Sequence, residues 1–218
     1  MINNSITVQQ LEKLFNQFND KFFNGELPAI PIEIKRTRGR VGTFEYSWRR
    51  VGKTKIYTPS RIIISNYFNY PLHDIEETLI HEMIHYYICY KNIKDNNMHG
   101  RKFMALAYRI SQIDSNYNVT KTYERDTEEL ELTHTPTNCT YYFLTYDYEG
   151  EQYFTRTSKN LIDRIVAKNN ICANPKITNI TCYSTSDPNM SRYTQRSSRF
   201  SAEPISYLSK ISNITKIQ

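Results

Sequence analysis

Residues 78–87 read TLIHEMIHYY, which sets His81 and His85 four residues apart, with Glu82 between them, inside an apolar run. On a helix, positions i and i+4 lie one above the other on the same face, so two imidazoles there can reach one point in space. This spacing works only on a helix, and the flanks supply one. Ile75, Leu79, Ile80, Met83, Ile84 and Ile88 make the segment apolar around much of its circumference, so most of it should be buried. Asp74 reads as an N-cap with Glu77 three residues on as its capping-box partner, and Pro71 closes the segment before it. Burying two histidines and a glutamate without partners would cost several kcal/mol or force them neutral, whereas a metal would use all three side chains.

The motif is H-E-x-x-H, the arrangement in which two histidines hold zinc and the glutamate reaches a water without binding the metal. A catalytic zinc takes three protein ligands, so a third must be found. A further histidine after a glycine would require Gly at position 88 and His at position 91, where the chain has Ile88 and Lys91; the next glutamate after Glu82 is Glu124, too distant to serve. The chain continues instead with NNMHGRKFMALAYRI, residues 96–110, where His99 and Gly100 open a second apolar helix carrying Phe103, Leu106, Ala107 and Ile110. His99 is the candidate third ligand. Asp95 and Asp114 are weaker ones, because such sites favour nitrogen and sulfur.

TLIHEMIHYY with HGRKF beyond it resembles the SprT-like zinc metalloproteases. LEKLFNQFNDKFFNGELPAIPIEI is similar to that family's opening helix, tight turn and first strand, so the resemblance covers about residues 7–115. It implies hydrolysis of proteins bound or crosslinked to DNA, with Glu82 as general base and His81, His85 and His99 as zinc ligands.

The rest of the chain agrees with an α+β fold in which a small sheet lies beside the H-E-x-x-H helix, as in zincin-like proteases. Val8, Leu11, Phe15, Phe18 and Phe22 recur at helical spacing, and Gly25 and Pro28 end that helix. IPIEIKRT, TFEYSW and KIYTPSRIIIS read as three strands, and a sheet edge can align an extended peptide across the metal. Further on, TYYFLTYDYEGEQYFTRT reads as a hairpin turning at Glu149–Gly150, succeeded by a helix over residues 159–168 and the strand KITNITCYS. This resembles the family's zinc ribbon with its strands kept and its cysteine pairs lost; Cys89, Cys139, Cys172 and Cys182 form no C-x-x-C pair. Packing of Tyr142, Leu144, Tyr146, Tyr148 and Phe154 would supply the stability that zinc gives elsewhere. The expected organisation is a protease domain over 1–121, a linker over 122–137, a ribbon-like subdomain over 138–188 and a basic, flexible tail over 189–218.

The chain of 218 residues carries 28 basic and 22 acidic side chains. Between Glu33 and Lys55 eight basic residues face two acidic ones, so the whole excess sits there and the remainder balances at 20 against 20. Lys35, Arg36, Arg38, Arg40, Arg49 and Arg50, with Trp48 interleaved, suit phosphate contacts and base stacking, and the resemblance points to single-stranded or damaged DNA. The plainer alternative is a solvated strand face. No apolar run approaches a membrane span, and the N-terminus shows no basic region leading into an apolar one, so a cytoplasmic monomer without a membrane partner is expected. Two other functions compete: a non-catalytic nucleic-acid-binding protein with structural zinc, and a general peptidase indifferent to DNA.

Overall fold

The computed structural model describes residues 6–119, 130–134, 138–168, 174–193, 195–196 and 203–217, which fall in two compact units, 1–133 and 134–218. The first opens with helix α1, Val8–Phe23. Thr7 Oγ1 accepts the Gln10 N–H at 3.2 Å and Gln10 Oε1 accepts the Thr7 N–H at 2.8 Å, a reciprocal cap that satisfies two otherwise orphaned donors. The helix ends where Asn24 turns left-handed, at φ 55°. Its buried stripe of Leu11, Phe15, Phe18, Phe22 and Phe23 enters the core.

Three strands come next: β1 Ile32–Lys35, β2 Gly42–Val51 and β3 Thr54–Ser65. They lie in the order β1-β3-β2, with β1 parallel to β3 and β2 antiparallel to it, so β2 is an edge strand. The β2–β3 hairpin is longer than TFEYSW suggests. Its inner half carries Ile62, Ile63 and Ile64 into the core, while Tyr46, Trp48, Val51, Ile56 and Tyr57 stay exposed toward the turn. Helices α2, Leu72–Tyr90, and α3, Arg101–Ile113, complete this unit. Leu79, Ile80, Met83, Ile84, Phe103 and Ile110 are fully buried against Phe22, Phe23, Ile62 and Ile64. Each such side chain contributes about 1.5–3 kcal/mol of burial.

Two local expectations change. Helix α2 begins at Leu72 with Pro71 as its N-cap, so Asp74 is no cap; it lies in the first turn, where its charge suits the positive end of the helix. Glu77 is buried and accepts the Asn118 N–H at 2.9 Å instead of reaching back to Asp74. The expected linker also splits: residues 120–129 and 135–137 lie outside the described residues, whereas 130–133 are folded onto the first unit. Leu132 bridges Phe68, and the Thr133 hydroxyl donates to the Asn66 carbonyl at 2.5 Å.

In the second unit, β4 Tyr141–Tyr148 and β5 Glu151–Thr157 form the hairpin read at Glu149–Gly150, and α4 Lys159–Ala167 and β6 Ile177–Thr185 succeed it. The tail departs from expectation. Glu203–Pro204 adds β7 beside β5, and Ile214–Lys216 adds β8 beside β6, giving the order β7-β5-β4-β6-β8. Strand alternation explains why. Leu144 and Tyr146 face one side, with Ile162 and Ile165 of α4 in that cluster, while Tyr141 and Phe143 face the other and need a second cover. Met190, Tyr193 and Ile211 supply it, and the buried Asp187 carboxylate ties the segment down by accepting from Asn189 N–H at 2.8 Å, Ser212 N–H at 2.6 Å and the Ser212 hydroxyl at 2.7 Å. Cys172 lies outside the described residues; Cys182 is a free, fully buried thiol in the first of these clusters.

Candidate metal centre

Helix α2 presents His81 and His85 on one face, and the turn leading into α3 brings His99 to the same point. The Nε2 atoms are 3.2 Å apart between His81 and His85, 3.1 Å between His85 and His99, and 3.0 Å between His99 and His81. Three imidazole nitrogens this close cannot all satisfy one another. The spacing approaches the edge of a zinc tetrahedron, about 3.3 Å for Zn–N bonds near 2.0–2.1 Å. Among the described residues this is the one group of His, Cys, Asp and Glu side chains close enough to hold a metal. Burial, then the neighbouring His81 and His99, bring His85 down to about 3, so it is neutral at physiological pH, the protonation state that donates a lone pair.

The other candidates are engaged elsewhere. Asp114 pairs with Lys21 at 2.6 Å. Asp95 caps α3, whose own N-cap, Gly100, has no side chain to do so: its carboxylate accepts from Lys102 N–H at 2.9 Å and Phe103 N–H at 3.0 Å. A Cβ on Gly100 would collide with that carboxylate, so glycine permits the cap that sets the backbone beside His99. Phe103, fully buried, packs against all three imidazoles with ring centroids 4.7–4.9 Å away. Helical periodicity marks Phe103 only as core. Its position four residues after His99, on the helix that His99 introduces, is the signal in the sequence for this second role.

Glu82 follows His81 on the same helix and packs against Gly42 and Phe44 of the edge strand. It is 7% exposed, accepts a hydrogen bond from the Phe44 N–H and feels Arg40; burial outweighs both and pushes its carboxyl up to about 7. The edge strand makes this burial possible by passing very close to α2. A Cβ on Gly42 would lie 2.5 Å from Thr78 Cγ2, 2.7 Å from Glu82 Oε1 and 2.9 Å from Glu82 Cγ. Between the hairpin, α2 and the loop before α3 opens a cavity of about 930 Å³ lined by His81, Glu82, His85 and His99 and walled by Phe44, Tyr46 and Tyr57.

The basic residues do not form one patch. Lys35 is opposite Ser65 and Arg50 opposite Lys55 on the same strand, which at about 3.3 Å per residue separates them by about 30 Å of strand. Lys35 pairs with Glu33 at 2.8 Å, and the Arg36 guanidinium lies 4.4 Å from the Tyr67 ring centroid. Arg49 and Arg50 take opposite faces of β2. Arg50 shares its face with Tyr46 and Trp48, and Lys55 Nζ sits 4.3 Å from the Trp48 ring centroid. Arg40 is at the metal cleft.

The SprT-like family model matches residues 11–123, just over half of the chain. Similar proteins include the DNA-dependent metalloprotease SPRTN of Rattus norvegicus, 34% identical over 122 residues, covering 55% of this chain and 24% of the relative. The Homo sapiens SPRTN is 33% identical over the same length. The DNA-dependent metalloprotease dvc-1 of Caenorhabditis elegans is 33% identical over 106 residues, 47% of this chain and 28% of the relative. The chain thus spans about a quarter of the length of the curated relatives it matches.

Proposed function

Since the chain belongs to the SprT-like family, we propose that it is a zinc-dependent metalloprotease of zincin-like design whose substrates are proteins held on DNA. The observation that carries the reading is the convergence of three Nε2 atoms within 3.2 Å beside a buried glutamate at the wall of an open cleft. His81, His85 and His99 would hold zinc, which when bound activates water and polarises the scissile carbonyl. Glu82 is the general base. A carboxyl near 7 matches a base that takes a proton from water and returns it to the departing amine at neutral pH. The Phe44 N–H holds the carboxylate in place. The outer edge of β2 offers backbone donors and acceptors to an extended polypeptide and so lays the scissile bond across the cleft. The relatives' names support DNA dependence, and Trp48 and Arg50 on one face near the hairpin turn, with Lys35, Arg36, Arg38 and Arg40 near β1, are the contacts we assign to it; Arg49, on the opposite face, is left out. The separation and internal pairing of those cations favour, as a second reading, a peptidase that needs no DNA.

The test is cleavage of a DNA-binding protein with and without DNA. Glu82→Gln should keep the metal and lose about 100-fold to 10,000-fold in rate, the usual worth of a general base. Full activity in that variant would remove the mechanism, and cleavage indifferent to DNA would select the second reading.

A further inference from the structure

The cleft wall carries more cations than the proposed chemistry uses. Arg40, Lys53, Lys55 and Lys94 line the same cavity as His81 and Glu82. The two acidic residues of that cavity are already committed. Glu82 is buried as the proposed base, and Asp95 is spent on the backbone of α3. Among the described residues Arg40, Lys53 and Lys94 make no ion pair, all four cations are exposed, and Lys55 has only the face of Trp48 beneath it. The nearby carboxylates do not compensate: Glu33 and Glu45 both clamp Arg61, at 3.0 and 2.7 Å. A catalytic cleft walled by unneutralised cations presents a positive field to whatever enters it, focused by the surrounding low-dielectric walls.

We infer that this cleft selects polypeptide stretches bearing acidic side chains beside the scissile bond, with Lys53, Lys55 and Lys94 as the specificity-determining residues. The inference rests on the peptidase reading above and deepens it by naming the substrate chemistry. A peptide, not a polynucleotide, is the occupant because the cavity that these cations line is bounded by Gly42, Thr43, Phe44 and Tyr46 of the edge strand beside Glu82, whereas Trp48 and Arg50, assigned above to DNA, lie outside its lining. A chain added to that edge alternates its side chains between the two faces of the sheet, so every second residue meets the face that carries Tyr46, Trp48, Tyr57 and Lys55. Aspartate or glutamate at those positions meets lysine ammonium groups; lysine or arginine there is repelled. Within a generally basic substrate, cleavage falls in its acidic segments.

Binding is the primary measurement, since it does not require turnover. Three peptides share an apolar centre and differ only in flanks of Asp/Glu, Ser/Asn or Lys/Arg. Trp48 is the only tryptophan and packs against Lys55, so its fluorescence in the full chain reports occupancy beside Lys55, in Glu82→Gln protein loaded with zinc and in wild type. Each exposed charge contact is worth about two- to fivefold, so three lysines should favour the acidic over the basic peptide by about tenfold or more at low salt, shrinking at high salt. Lys53→Glu/Lys55→Glu should reverse the order, and Lys94→Glu should lower the ratio. Equal affinity for all three peptides, or an order that survives charge reversal, overturns the inference. So does a short oligonucleotide displacing every peptide equally in the absence of any flank preference, which would assign the cations to a polyanion. Preferential binding of acidic peptides without cleavage by wild type would keep the cleft's preference for acidic polypeptide and overturn the peptidase reading, and with it the placement beside a scissile bond.

Discussion

Gly42→Ala is the most discriminating single substitution, because it presses on the proposed base without touching a proposed metal ligand. The added Cβ would sit 2.5 Å from Thr78 Cγ2 and 2.7 Å from Glu82 Oε1, against ordinary carbon contacts of about 3.5–4.0 Å. Strand or helix must therefore yield by about 1 Å. If β2 lifts, the Phe44 N–H moves away from Glu82; if Glu82 swings aside, its carboxylate leaves the position from which it can serve the cleft. Overpacking of this kind costs about 1–3 kcal/mol, and a displacement of about 1 Å at a reacting group costs about 100-fold in rate. Gly42→Ala should bind zinc as wild type does, melt a few degrees lower and lose about 100-fold in kcat.

A second substitution separates strain from chemistry. Thr78→Ser removes Cγ2, the nearest obstacle, and keeps the hydroxyl that donates to the Asp74 carbonyl at 2.8 Å. Gly42→Ala/Thr78→Ser should regain much of the melting temperature but less of the rate, since Glu82 remains crowded. Metal analysis, thermal melts and peptide hydrolysis on the four proteins of this cycle give the answer. Unchanged melting and unchanged kcat in Gly42→Ala would refute the close approach and the role assigned to the strand.

Asp95→Ala should weaken zinc binding by about tenfold, as is usual when a ligand's support is removed, and Asp95→Asn should recover part of it; chelator competition that shows no change would leave His99 independent of the cap. If DNA lies on the Trp48 face of the hairpin, Arg50→Ala should make log affinity against log salt shallower by about 0.7 for single strands, while Arg49→Ala on the opposite face should leave the slope alone; equal effects would contradict the face assignment. In the second unit, burial pushes the Asp187 carboxyl up, but hydrogen bonds from Ser212 and Asn189 outweigh it and leave it below the usual aspartate range. A lowered folded-state value contributes stability that is present above an unfolded value of about 3.9 and is lost as pH falls through the folded one. Acid titration of the melt should therefore show a loss below about pH 4 that Asp187→Asn lacks, that variant being already less stable at neutral pH; identical acid profiles would discard the linkage.

The parts of this molecule legible in the sequence are those where spacing along the chain is spacing in the structure. One helical turn brings His81 onto His85, and the apolar repeat around them marks both the helix and its burial. His99 is legible because few other ligands stand near it in the chain. Charge counting works less well, since it ignores the two-residue period of a strand: Arg49 and Arg50 are neighbours in sequence yet stand on opposite faces of the sheet, and residues 35–40 lie at the far end of the hairpin from them. The tail escapes a sequence reading for a similar reason. Strands of two and three residues, Glu203–Pro204 and Ile214–Lys216, have no period to detect, and they exist because β5 and β6 offer edges and Asp187 holds the approach.

Most completely hidden in the sequence is the meeting of residues 42–44 with Glu82. Nothing about a glycine before Thr43-Phe44 shows that a helix much later in the chain will press against it. Yet this contact carries two properties at once. By covering Glu82, the strand removes the carboxylate from water and raises its proton affinity toward 7; by donating from Phe44, it restrains the group and partly opposes that rise. The same strand edge is the one proposed to receive substrate. Base strength and substrate alignment are then set by one short stretch of backbone, so substitutions at 42–44 should change kcat and KM together, whereas changes at Lys53, Lys55 or Lys94 should act mainly through KM.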